Sequence, residues 1–231
     1  MQPNPIIIFY GPPGSGKGTQ ANLLSHATGI PFFDAGYAFR QFAKIYQQNP
    51  SDARVARSRR MDDALNGGNP ILTEDYLYIV GETIQNAIEK NESLIMDKPG
   101  GSLVPEAEWM DGFIRKHGFE VLFFHLPISV EESITRVEHR WYAPGSGEPF
   151  GSKELAVVHC KLGDEPYQRA DDMSEDSIKR RYDKLYAAQK DTILEIFNAN
   201  SQVTMYELEA SEDLHKLQQQ IILTVQKHIT L

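Results

Sequence analysis

A chain of 231 residues, 41% hydrophobic and 24% charged, is long enough to bury one sizeable core, and its single cysteine, Cys160, excludes a disulfide-stapled scaffold. A formal charge of −9 argues against a protein that coats nucleic acid, and the longest apolar runs, such as Ile6 to Tyr10, are too short to cross a bilayer. The opening Met-Gln-Pro-Asn-Pro has neither the charged segment nor the apolar stretch of a secretory signal, so a cytoplasmic protein with no membrane or nucleic-acid partner is expected.

The apolar run Ile6 to Tyr10 stops at Gly11-Pro12-Pro13-Gly14, the pattern of a buried parallel strand entering a tight loop. Thr19 to Thr28 suits a helix ended by Gly29, and Ile30 to Phe33 predicts a second strand. Residues 34–70 carry helical patches broken at Asn49-Pro50 and Gly67-Gly68-Asn69-Pro70, which reads as a helical insertion. Further strands are expected at Leu94 to Asp97, Val121 to Leu126 and Val203 to Leu208. Each precedes a helical pattern: Pro105 to His117, Val130 to Arg140 and Ser211 to Ile229. Residues 141–168 are rich in glycine and proline with little helical periodicity, which suits a lid or long functional loop, and Ser174 to Asn198 reads as one long amphipathic helix. Five strands alternating with helices predict a single α/β domain over residues 1–231, with a parallel sheet covered on both faces.

The segment Gly11-Pro-Pro-Gly-Ser-Gly-Lys17-Gly-Thr19 follows the first strand and opens the first helix. Glycines there let backbone N–H groups turn inward around phosphate oxygens, the helix adds its positive end, and Lys17 reaches the terminal phosphates. The cradle is accordingly assigned to Gly14, Ser15, Gly16, Lys17, Gly18 and Thr19, with ATP as the phosphate carrier. Leu94-Ile-Met-Asp97 ends a strand in a carboxylate, the placement expected for a residue that orients Mg²⁺. Phosphoryl transfer also asks for several arginines and a closing loop, and arginines bracket residues 141–168: Arg136 and Arg140 before, Arg169, Arg180 and Arg181 after.

With Gly18 where most P-loops place Ser or Thr, Gly11 to Gln20 resembles the opening of the adenylate kinase family of nucleoside monophosphate kinases. The resemblance implies a P-loop fold with a nucleotide-binding insertion over 34–70 and a lid over 141–168. It also implies that Arg140 contacts ATP, that Arg136 and Arg169 lie on the transferring phosphate, that Arg181 or its neighbour Arg180 completes the clamp, and that the backbone at 207–210 lies against adenine. Asp171 and Asp172 read equally as first-turn acids or as a hinge gripping a lid arginine. The lid lacks the four-ligand cluster that some relatives use for zinc, so no structural metal is implied.

The acceptor half departs from the family. Arg40 is retained and is expected on the acceptor phosphate, and Ile71 to Asp75, with Leu72, resembles the wall that meets the base. Ala35 stands at the family's threonine, Gly101 at its arginine and Glu106 at the glutamine that reads adenine. Lys98 and the cluster Arg54, Arg57, Arg59 and Arg60 are possible replacements, although the cluster reads more simply as a solvated face paired with Asp62 and Asp63. The expectation is a monomeric nucleoside monophosphate kinase using MgATP. A P-loop kinase for another small acceptor, motivated by Gly100-Gly101 and Ala35, and a non-catalytic nucleotide-binding protein are the alternatives.

Overall fold

A computed structural model of the chain describes residues 4–67, 69–97, 103–144, 149–210 and 213–229. Its first strand, β1 (Ile6–Tyr10), is buried at every position and feeds alternate side chains to opposite faces. Ile6, Ile8 and Tyr10 enter one core cluster, and Ile7 and Phe9 enter the other. The same alternation runs through β3 (Leu94–Asp97) and β4 (Val121–His125), so a strand apolar throughout is what a sheet covered on both faces requires. With β2 (Phe32–Asp34) and β7 (Val203–Glu207) they form a parallel five-stranded sheet in the order β2-β3-β1-β4-β7.

Helices α1 (Lys17–Thr28) and α11 (Leu214–Val225) cover the face carrying Ile7 and Phe9, through Ala21, Leu24, Leu217, Ile221 and Val225. The other face packs against α5 (Thr73–Glu89), α6 (Val104–His117) and α10 (Lys190–Asn198). Between β2 and β3, ahead of α5, come α2 (Ala35–Ala43), α3 (Ile45–Gln48) and α4 (Val55–Asn66). After β4 the chain runs through α7 (Val130–Glu138), a short hairpin of β5 (Trp141–Tyr142) and β6 (Pro149–Phe150), and α8 (Lys153–Val158) to α9 (Glu175–Tyr182). No helix among the described residues is long and apolar enough to cross a membrane.

Three expectations are corrected. The second strand lies at Phe32–Asp34 and not at 30–33, because Pro31 has no N–H to give to the ladder, while Asp34 pairs in register with Asp97. The stretch 141–168 is not a bare loop: Ser152 caps α8 by accepting the Leu155 N–H, and the β5–β6 hairpin precedes it. The helix expected over 174–198 is interrupted by a π turn at Asp183–Ala187, which brings the Tyr186 hydroxyl 2.9 Å from buried His125 Nε2.

Candidate active site

Where β1 ends, the chain must pass close beneath β4. A Cβ on Gly11 would collide with the Leu126 carbonyl oxygen, so only glycine fits that position. Gly16 caps α1 in the left-handed conformation at φ 87°, directing the loop amides and the first turn of α1 toward one space. Lys17 folds back over the loop, donating to the Pro12 carbonyl at 2.7 Å and to Ser15 Oγ at 3.3 Å. Ser133 of α7 donates to the Pro13 carbonyl at 2.7 Å and pins the loop from outside. Gly14, Gly16, Lys17, Gly18 and Thr19 line a cleft of about 350 Å³, whereas buried Ser15 does not face it.

The opposite wall is an arginine cluster built on two acids. Asp171 and Asp172, in a 3₁₀ turn at Ala170–Asp172, are buried and act as the gripping pair, not as solvated first-turn acids. Asp172 receives Arg140 through Nε and Nη2 at 2.8–3.1 Å, Arg181 Nη2 at 2.8 Å and the Tyr142 hydroxyl at 3.2 Å. Asp171 receives Arg181 Nη1 at 2.7 Å and Arg40 Nη2 at 3.0 Å. Burial opposes the Asp172 charge, yet Arg140 and Arg181 together hold its carboxyl below the ordinary value. Arg169 lies 3.8 Å over the Tyr142 ring, and burial, reinforced by Arg40 and Arg140, lowers its hold on the proton.

Arg136 takes a different position from the other arginines. It donates to the carbonyls of Gly14 at 3.4 Å and Ala210 at 3.0 Å, tying the loop to the segment after β7 and not joining the Asp171–Asp172 cluster. Arg181 is buried on the cleft wall, whereas Arg180 points away to the Gly67 carbonyl at 3.4 Å.

Asp97 closes the floor. A Cβ on Gly18 would lie 3.8 Å from its Oδ2, so the carboxylate faces the start of α1, and its buried Oδ1 has no hydrogen-bond partner among the described residues. An orphaned carboxylate oxygen beside a phosphate cradle fits a hard divalent cation that takes its remaining ligands from water and phosphate. Among the described residues no group of three or more His, Cys, Asp or Glu could hold a metal by itself.

The part of the cleft expected to take the acceptor is walled by Arg40, Phe39, Leu65, Asn69, Ile71, Tyr76 and Glu106. Leu72, expected on this wall, is instead half exposed at the start of α5, and Ile71 takes its place. Buried Glu106 accepts the Leu103 N–H at 3.2 Å and caps α6. Three of the four arginines in the 54–60 cluster reach acids other than Asp62 and Asp63. Arg57 and Arg60 reach buried Asp75 at 2.6 and 2.8 Å, and Arg54 pairs with Asp52. Lys98 and Gly100-Gly101 lie outside the described residues.

A family model described as an AAA domain matches residues 10–99, the span of the cradle, the helical insertion and Asp97. An adenylate kinase of Anaeromyxobacter dehalogenans is 30% identical over 76% of this chain and 79% of its own length. The chain belongs to the adenylate kinase family. Adenylate kinases of Thermosipho melanesiensis and Streptomyces avermitilis, 26% and 29% identical, cover 94% and 85% of the chain and 97% and 87% of their own lengths. Membership of the adenylate kinase family makes the chain a phosphotransferase, and the likeness spans both the cradle and the arginine-bearing half. The cleft residues that sequence reasoning missed include Asp34 and Tyr142. Asp34 carries the same signal as Asp97, an acid closing an apolar strand, but the expected strand ends one residue before it.

Proposed function

We propose that this adenylate kinase family member transfers the γ-phosphoryl group of MgATP directly to a nucleoside monophosphate, without a covalent enzyme intermediate, as a cytoplasmic monomer. The reading rests on one observation: the glycine loop with Lys17 and the arginines gathered by Asp171 and Asp172 border the same cleft. Backbone amides from Gly14 to Thr19 hold the β- and γ-phosphates, and Lys17 swings from the Pro12 carbonyl to the transferring group. Arg140, Arg169 and Arg181 supply positive charge to the equatorial oxygens, fixed in place by Asp172 and Tyr142 before substrate arrives. Asp97 is the residue that would orient a Mg²⁺ ion, which when bound would supply positive charge to the phosphates.

The 34–70 insertion forms the nucleoside monophosphate site, with Arg40 on the acceptor phosphate, and 141–168 forms the lid. The Arg40–Asp171 pair joins the insertion to the turn that follows the lid, which favours a closed cleft from which water is excluded. A coupled assay with MgATP and each common nucleoside monophosphate tests the proposal. Turnover of at least one monophosphate is expected, and ATP binding with no transfer to any of them contradicts it. Arg40→Ala is expected to raise the acceptor KM by about 10- to 100-fold, the value of a charge-assisted phosphate contact, and the ATP KM far less. Equal effects on both constants would remove Arg40 from the acceptor site.

A further inference from the structure

The floor of the cleft holds a second carboxylate that the transfer described above does not use. Asp34 ends β2 beside Asp97 at the end of β3, the two residues being register partners, and both line the cleft. Sheet order β2-β3-β1 puts the phosphate loop at the end of β1, Asp97 one strand away and Asp34 a further strand, about 4.8 Å, toward the acceptor half. The Asp34 carboxyl is held in place: Oδ1 accepts the Tyr37 N–H at 2.8 Å and caps α2.

A monophosphate acceptor is already an anion and attacks phosphorus without losing a proton, so it has no use for a base. A hydroxyl acceptor has the opposite need, since its proton must leave as the oxygen attacks. We propose that the cleft also phosphorylates the hydroxyl of a nucleoside, with Asp34 as the general base. This rests on the reading that the cleft transfers the γ-phosphoryl group of ATP. The hydroxyl oxygen forms the new O–P bond, the bond from the γ-phosphorus to the β,γ-bridging oxygen breaks with its electrons leaving on ADP, and the hydroxyl proton passes to Asp34 and then to water. Flat apolar walls from Phe39, Tyr76 and Ile71 suit the planar base of such an acceptor.

The experiment compares adenosine, guanosine, cytidine, uridine and thymidine with their 5′-monophosphates as acceptors, for the wild type and for Asp34→Asn, which keeps a capping side chain on α2. At least one nucleoside is expected to turn over in the wild type. In the variant the ratio of nucleoside to monophosphate turnover should fall about 100-fold or more, the value of a positioned base. Monophosphate turnover with no nucleoside turnover overturns this proposal and leaves the kinase reading standing. An unchanged ratio in Asp34→Asn removes Asp34 as the base. Loss of transfer to every acceptor in the wild type overturns both readings.

Discussion

Lys17→Ala is expected to lower kcat/KM for ATP by about 10²- to 10³-fold, the usual cost of removing one preorganised donor from a developing negative charge. The ammonium group is held over the loop by the Pro12 carbonyl and Ser15 Oγ, so little reorganisation separates its resting position from a bound phosphate. The loop is independently pinned by the bond from Ser133 to Pro13 and by the fit of Gly11 beneath Leu126. The folding transition of the variant should therefore stay close to that of the wild type while the rate collapses. Steady-state kinetics beside thermal unfolding separates the two effects. A wild-type rate in Lys17→Ala contradicts the assigned role, and a large loss of stability assigns it to the fold.

The second large effect belongs to Asp172, which is fully buried and neutralises Arg140 and Arg181. Asp172→Ala leaves two largely buried guanidinium groups without this partner and is expected to cost about 3–5 kcal/mol, read as a lowered denaturant midpoint. The pH dependence has a definite sign. Because the folded-state carboxyl is held below its ordinary value, its contribution is complete above the ordinary carboxylate range and is lost as pH falls through the depressed folded value. Denaturation between pH 7 and pH 3 should show the wild type losing stability more steeply with acid than Asp172→Asn. Parallel slopes would show that the Asp172 charge does not support the folded state.

The same two sites show what the sequence could reveal. The cradle was legible because its glycine spacing, its lysine and the apolar strand before it all point to one backbone path, and Gly11 and Gly16 do occupy positions that a side chain would block or strain. The sheet was legible because strands buried on both faces must be apolar throughout. Asp171 and Asp172 were not decidable, since an acid beside the first turn of a helix suits a solvated cap as well as an ion-pair hub, and only their burial separates the two. The π turn at Asp183–Ala187 was invisible because one inserted residue barely disturbs an amphipathic pattern. Arg57 and Arg60 misled for a different reason. Asp62 and Asp63 are near in sequence, but Asp75 stands at the start of α5 where Arg57 and Arg60 reach it across the turn between helices.

The most direct test is a calorimetric titration of ATP into the wild-type protein. Saturable binding at one ATP per chain, strongly weakened in Lys17→Ala, is the predicted result. A flat titration of folded wild-type protein contradicts the account, because a loop with this backbone and an arginine wall facing it would then hold no triphosphate.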